Sequence, residues 1–259
     1  MKVLQKAAYV GKRLNSGPVG RNVNRIAKYA AGCYFDLRGG VYRTEGLTFE
    51  VPREHTTRSM RGRFAADTYE LPERALIREH LPRDARVLEL GGCIGVVSCL
   101  INSLLSDSCA HVVVEANPFL IPFLESNRDR NKAGFSVEQC IVSRSFDAAL
   151  AIAADMDSSR IGCGGLKVPT RTVEYIEASH HMRFDALVMD IEGAESEFIR
   201  QNAAILRQVR FIMVEFHPSI VGEAEVSALR KTLMDCGLEK AGQRLETEVY
   251  KRMTQPCVE

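Results

Sequence analysis

Tryptophan is absent from the 259 residues, and aromatic side chains make up only 7% of them. Few flat rings are therefore on hand for stacking unpaired bases, which argues against a single-stranded nucleic-acid binder. Net charge is nearly missing as well, with 34 lysines and arginines against 33 acids, so no overall field draws nucleic acid to the protein. No apolar run approaches the ~20 residues that a membrane-crossing helix needs. The basic start MKVLQKAAYVGKR leads into polar sequence, not into the apolar stretch of a secretion signal. The eight cysteines (Cys33, Cys93, Cys99, Cys109, Cys140, Cys163, Cys236 and Cys257) never form a C-x-x-C pair. Several lie in apolar runs such as QCIV and VVSCLI, which reads as small buried side chains in a reducing compartment, not as disulfides or zinc ligands. The expectation is a cytoplasmic protein with no nucleic-acid partner and no membrane span.

Basic residues are concentrated at the start. Lys2, Lys6, Lys12, Arg13, Arg21, Arg25 and Lys28 precede the first acid, Asp36. Val3, Leu4, Ala7 and Ala8 have helical spacing, and so do Ile26, Tyr29, Ala30 and Cys33. Such a start either packs its thin apolar stripe on the domain as a helical arm or docks on anionic lipid or glycan. VYRTEGLTFEV then alternates around Glu45-Gly46, the pattern of a β-hairpin. Residues 1–66 read as a helical arm and hairpin cap, and residues 67–259 as the main domain.

From Glu70 onward, strand and helix patterns alternate. ELPERALIREHL is helical, ARVLEL is a short buried strand, and the helix in IGVVSCLINSLL starts at a glycine turn. HVVVEA is a second strand. NPFLIPFLESNRDRNKA is a helix with Asn117 as N-cap and Pro118 at its first position. FSVEQCIV is a third strand, and the glycine-rich segment from Ser158 to Lys167 suits a lid. A short helix (TVEYIEA), strand FDALVMD, helix GAESEFIRQNAAIL, strand VRFIMVEF, helix EVSALRKTLMDCG and strands LEKAG and TEVYKRM follow. This alternation implies an α/β, doubly wound, mainly parallel sheet whose ligands bind at the carboxyl ends of the strands.

Chemistry collects at those ends. In ELGGCIG the acid Glu89 precedes a turn of Gly91, Gly92 and Gly95, where a ligand can lie against bare backbone. The dinucleotide fingerprint G-x-G-x-x-G fails, because Cys93 stands where the second glycine would meet a pyrophosphate. An acid before such a turn suits the cationic amino-acid end of a ligand, and Glu115, ending the next strand, suits both hydroxyls of a ribose. Together they fit S-adenosylmethionine, which carries no phosphate. The competing reading of the glycines alone is helix–strand packing. A second cluster follows: Asp190, Glu192 and Glu195 in MDIEGAE, and Glu215 and His217 in VEFHP. Adjacent parallel strands would bring Asp190, Glu192, Glu215 and His217 to one rim beside the glycine turn, where buried carboxylates need a pair, a metal or a task. The plainer reading makes Glu195 a helix cap and His217 a satisfied loop histidine.

The ordered series TYELPE, LELGGCIG, VEANP, VPTRTVEYI, FDALVMDIEGAE and FIMVEFHP resembles the FkbM-type S-adenosylmethionine-dependent methyltransferases across residues 67 to 218. D-x-E-G-A-E, here Asp190 to Glu195, is its most distinctive element. The family's usual first turn is D-x-G-A-N-I-G. This chain has Glu89 for Asp, which keeps the charge, Gly92 for Ala, and Cys93 for Asn, which removes a hydrogen-bonding side chain. The resemblance implies a seven-stranded class I methyltransferase fold, Rossmann-like with its last strand antiparallel, and O-methylation of hydroxyls on sugars, glycans or secondary metabolites. It does not extend to residues 1–55. The expected cofactor set is Glu89, Gly91, Gly92, Cys93, Gly95, Glu115, Ala116, Asn117, Val142 and Asp190. The expected catalytic set is His217 as general base, with Asp190 and Glu192 orienting it or the acceptor hydroxyl. Three alternatives stay open: a metal-assisted methyltransferase with Mg2+ on Asp190, Glu192, Glu215 or His217, a nucleotide-dependent oxidoreductase, and a non-catalytic scaffold retaining the fold.

Overall fold

The computed structural model describes residues 18–145, 149–151, 160–161 and 166–252. The expected helical spacing at Val3–Ala8 lies outside these residues, and so does most of the expected lid between Ser158 and Lys167. The chain opens with helix α1 (Pro18–Leu37) and a hairpin of β1 (Val41–Thr44) and β2 (Leu47–Glu50). Glu45 and Gly46 both have positive φ (55° and 82°), the mirror-image two-residue turn that matches strand twist. Helices α2 (Arg58–Ala65) and α3 (Leu71–His80) lead into the sheet domain.

There, β3 (Val87–Leu90), α4 (Val96–Leu104), β4 (His111–Val114), α5 (Ile121–Arg130) and β5 (Ser136–Glu138) follow in order. Short strands β6 (Ile141–Val142), β7 (Ala149–Ala151), β8 (Arg160–Ile161), β9 (Leu166–Lys167) and β10 (Thr170–Arg171) precede α6 (Val173–Ser179). Next come β11 (Ala186–Met189), α7 (Glu195–Gln201), α8 (Ala203–Leu206) and β12 (Phe211–Glu215). The described chain ends with α9 (Pro218–Val221), α10 (Glu223–Asp235), β13 (Leu238–Arg244) and β14 (Thr247–Arg252). The central seven-stranded sheet has the order β13-β14-β12-β11-β3-β4-β5. Its strands from β12 to β5 pair in parallel, while β14 runs antiparallel to both its neighbours. The sheet is therefore the doubly wound, mainly parallel one expected.

Pleating sorts the strand residues onto two faces. Leu88, Leu187, Met189, Ile212 and Val214 meet Val173, Phe198, Val226 and Leu229 of α6, α7 and α10. Val87, Ala186, Val188, Phe211 and Met213 meet Leu76, Ile77, Leu100 and Ile101 of α3 and α4. Glu89 shares the pleat of Val87 and so enters the α3–α4 side, beneath the glycine turn. The cap joins a third cluster, in which Phe49, Phe64 and Tyr69 pack with Ile94, Val113 and Leu124 of the sheet domain. Burying such side chains contributes roughly 1.5–3 kcal/mol each.

Four local expectations need correction. The stripe Ile26–Tyr29–Ala30–Cys33 is not the buried face of α1. Gly32 and Phe35 are buried instead, because a Cβ on Gly32 would lie 1.8 Å from the Arg58 carbonyl oxygen and one on Gly62 2.1 Å from that of Lys28. The two helices cross backbone to backbone at a pair of glycines. Asn117 caps a turn, accepting from the Phe119 N–H at 3.0 Å, and α5 starts only at Ile121. The third strand divides: Glu138 ends the sheet, and Ile141 N–H turns to the Pro169 carbonyl (2.8 Å), pairing β6 with β10. The helix after Asp190 breaks at Asn202, whose amide donates back to the Phe198 carbonyl at 2.8 Å.

Candidate active site

The strands β4, β3, β11 and β12 are successive neighbours, with Val114, Leu90, Met189 and Val214 in register. Their carboxyl ends therefore deliver Glu115, the Gly91–Gly95 turn, Asp190 and Glu215 along one rim. Gly91 has φ 94°, and a Cβ there would sit 1.8 Å from the Asp190 carbonyl oxygen, so only glycine lets β3 and β11 close up. A Cβ on Gly92 would lie 2.4 Å from Val113 Cγ1, so a side chain there would force the valine to shift. Gly95 lies behind the turn against Leu124. Packing accounts for all three glycines.

On one side of the turn, Glu115 ties two loops together. Its carboxylate accepts from the backbone N–H of Cys93 and of Asn117, each at 2.7 Å. Burial pushes its pKa up to about 7, and the two backbone donors pull against that shift. Cys93 holds φ 48°, with its sulfur 3.5 Å from the Tyr69 hydroxyl. Ala116 packs beside Ile141 and Val168. Val142 sits half-buried against the first core cluster.

Beneath the turn is a cavity of about 20 Å3, enough for roughly one water. Four carboxylates line it, from Glu70, Glu73, Glu89 and Asp190, together with Gly91, Gly92 and apolar walls from Val97, Val188 and Met213. Glu89 is fully engaged there, accepting from Ser98 Oγ at 2.8 Å and meeting His111 Nε2 at 2.9 Å. Glu73 accepts from Thr247 Oγ1 at 2.5 Å. Burial, with repulsion from Glu73 and Glu89, pushes Glu70 up to about 8. Burial and the charges of Glu192 and Glu70 hold Asp190 well above the usual carboxylate range. Sequence reasoning missed Glu70 and Glu73. Two acids flanking Leu-Pro at a helix start read as partners of the helix dipole. Their signal was only that the helix leads directly into the strand carrying Glu89.

On the other side of the turn, Asp190, Glu192 and His217 converge. His217 Nε2 is 3.6 Å from both Asp190 Oδ1 and Glu192 Oε2, and Nδ1 is 3.3 Å from Glu195 Oε1. Asp190 Oδ1 and His217 Nδ1 are buried atoms with no formed hydrogen bond. The D-x-E-G-A-E turn builds this geometry itself. Glu192 and Gly193 take positive φ (52° and 98°), and buried Glu195 closes the turn by accepting from the N–H of Ile191 (3.0 Å) and Gly193 (2.9 Å). Burial lowers the pKa of His217, but the Glu195 carboxylate, with Glu192 and Glu215, outweighs it and leaves it raised. Burial and the Asp190 charge push Glu215 up to about 9. One ligand atom from each of Asp190, Glu192 and His217 lies within 4.8 Å of the others, close enough to share one cation.

The sheet order, the single antiparallel strand and an acid-lined glycine turn define a class I, Rossmann-like methyltransferase fold. A family model described as "Methyltransferase FkbM domain" matches residues 89–245, more than half of the chain. The protein belongs to the FkbM methyltransferase family. Among solved structures, cofactor-bound Rv0187 from MTB is 16% identical with a TM-score of 0.46, over 93% of this chain and 95% of that one. Precorrin-6y C5,15-methyltransferase from Geobacter metallireducens is 14% identical (TM-score 0.45, 79% and 93% covered). Aeropyrum pernix fibrillarin with natively bound S-adenosyl-L-methionine is 13% identical (TM-score 0.44, 69% and 73% covered). No curated protein matches the chain.

Proposed function

We propose that the protein is an S-adenosylmethionine-dependent O-methyltransferase acting on an uncharged or cationic hydroxyl compound, such as a sugar, glycan or secondary metabolite. The carrying observation is the run of carboxylates beside the glycine turn: Glu115, Asp190 and Glu215 stand at neighbouring strand ends, and Glu70, Glu73 and Glu89 lie with Asp190 around a water-sized cavity beneath the turn. Once ionised, these carboxylates repel phosphates and favour a ligand bearing both an ammonium and a sulfonium. The residues present fit that cofactor. Glu70 and Asp190 face its positive charge. Glu115, which ends the strand beside the turn and ties the Cys93 and Asn117 backbones together, takes the ribose hydroxyls. Bound there, the cofactor supplies an electrophilic methyl group on sulfur.

The chain's own work is on the acceptor. His217 Nε2 removes the hydroxyl proton as the oxygen forms its bond to the methyl carbon and the carbon–sulfur bond breaks. Glu195 faces the ring 3.3 Å from Nδ1, and Asp190 or Glu192 orients the ring or the acceptor. The same acids disfavour phosphorylated or acidic acceptors, because a like charge at this rim is destabilising. A second reading has one observation in its favour. Asp190, Glu192 and His217 offer an oxygen–oxygen–nitrogen set suited to a divalent cation.

Titration calorimetry with S-adenosylmethionine, S-adenosylhomocysteine and NAD tests the cofactor. Binding of the first two and not of NAD is expected, and the reverse overturns the reading. In an acceptor screen over neutral sugars and alcohols, His217→Gln is expected to cost about 10²–10⁴ in turnover with little loss of cofactor affinity. Turnover that vanishes with chelator and returns with Mg2+ would replace the base by the metal.

A further inference from the structure

Helix α1 has two apolar faces, and the protein covers one. Gly32 and Phe35 are packed on the domain, while Ile26, Ala30, Tyr34 and Leu37 recur at helical spacing and are exposed on the opposite side, with Tyr29 at its edge bonded to Arg58. Ile26 is 69% exposed, Leu37 86%, and the two tyrosines about half. Burial of a stripe this wide is the norm for an amphipathic helix in a soluble domain. Here it faces outward.

The surroundings of the stripe are cationic. Arg58 lies 5.3 Å over the Tyr29 ring and Arg38 lies 5.8 Å over the Tyr34 ring. Residues 1–35 carry seven lysines and arginines and no acid. The one acid of α1, Asp36, turns inward onto Arg61 at 2.7 and 3.0 Å, so its charge is neutralised at the helix–domain contact. We propose that this face of α1 is an interfacial anchor that lies on an anionic lipid surface. Ile26 and Leu37 enter the boundary between headgroups and acyl chains, Tyr34 sits at the level where ring and hydroxyl are both satisfied, and the exposed Lys28, Arg38 and Arg58 meet lipid phosphate. A second copy of the chain is the weaker occupant. Pairing two such stripes sets two basic runs side by side, whereas an anionic bilayer attracts both.

The test is sedimentation of the full chain with vesicles of phosphatidylcholine alone and of phosphatidylcholine mixed with phosphatidylglycerol. Binding at least about tenfold tighter to the anionic vesicles, and weakening as salt rises, is expected. The double variant Ile26→Ser with Leu37→Ser is expected to lose about tenfold or more of that affinity. Its melting temperature should hold, because both side chains are exposed. Equal binding to both vesicles overturns the proposal. So does full binding by the double variant, which would leave the stripe idle, and so does a sedimenting dimer that the double variant dissolves. Cofactor calorimetry on the same variants reads the methyltransferase site independently, so failure of one reading is separable from failure of the other.

Discussion

Cys93 is where the glycine turn departs furthest from the family pattern, and its backbone gives the departure a physical test. At φ 48° it occupies the left-handed region, where most side chains crowd the following carbonyl and asparagine is tolerated. Its N–H is committed to Glu115 at 2.7 Å, so any replacement must keep that φ. The sulfur meets the Tyr69 hydroxyl at 3.5 Å, so a polar side chain is not stranded in hydrocarbon there. Cys93→Asn should therefore hold or raise the melting temperature and keep or tighten cofactor binding. Cys93→Val, β-branched in the same conformation, should cost about 1–3 kcal/mol. Thermal melts with and without S-adenosylhomocysteine decide it, and equal melting of the two variants would refute the strain. The importance of this position was legible from the sequence as a broken motif, but its positive φ was not. The same holds for Glu89. Alternation along VLEL says that it shares a face with Val87, but not that Ser98 and His111 already hold both its oxygens.

At the scale of elements, the hairpin and the alternation of strands with helices were legible, since short V/I/L strands and a two-residue turn each leave a local pattern, but the helix expected from Asn117 begins only at Ile121. What covers the hairpin was not. Strand β2 is an edge, and α5 pins it through two asparagines one helical turn apart. Asn127 accepts from Glu50 N–H (2.7 Å) and donates to the Glu50 and Ile94 carbonyls (3.0 and 2.9 Å). Asn131 does the same for Thr48, at 2.9 Å in each direction. Side chains thus satisfy an edge that would otherwise be open to another strand. Asn127→Ala leaves buried backbone groups without partners and should cost about 2–4 kcal/mol by urea denaturation. Hydrogen exchange should localise the loss, with the Glu50 amide deprotected and the β3–β11 ladder unchanged. Uniform deprotection would mean that the asparagine supports the whole fold rather than the hairpin. Which face of α1 docks was equally hidden from periodicity, because the contact is made by Gly32 and Gly62, residues that carry no hydrophobic signal.

For the whole molecule, the concentration of acids at one rim makes stability and cofactor affinity depend on pH in opposite directions. Burial raises Glu70 to about 8, Glu115 to about 7 and Glu215 to about 9, and holds Asp190 well up. His217 is raised as well, the carboxylates around it prevailing over burial. A group raised in the folded state binds its proton more tightly there than in the unfolded chain. Its contribution is complete below the unfolded pKa and disappears as pH climbs through the folded one. All five shifts share that sign, so the ligand-free protein should lose melting temperature steadily from about pH 6 to pH 9. Glu248, lowered by hydrogen bonds from Lys240, Tyr250 and Arg230 despite its burial, works the other way and matters only on the acid side. A cationic cofactor reverses the balance at the site, because it favours the ionised carboxylates. Binding should therefore release protons and tighten across the same interval. Calorimetry in two buffers of different ionisation enthalpy measures the released protons directly. A melting temperature flat from pH 6 to 9, or binding with no proton release, would mean that these acids are already ionised in the free protein. The rim would then hold its charge by solvent exposure, and a stored electrostatic demand for a cation would have no part in drawing the cofactor in.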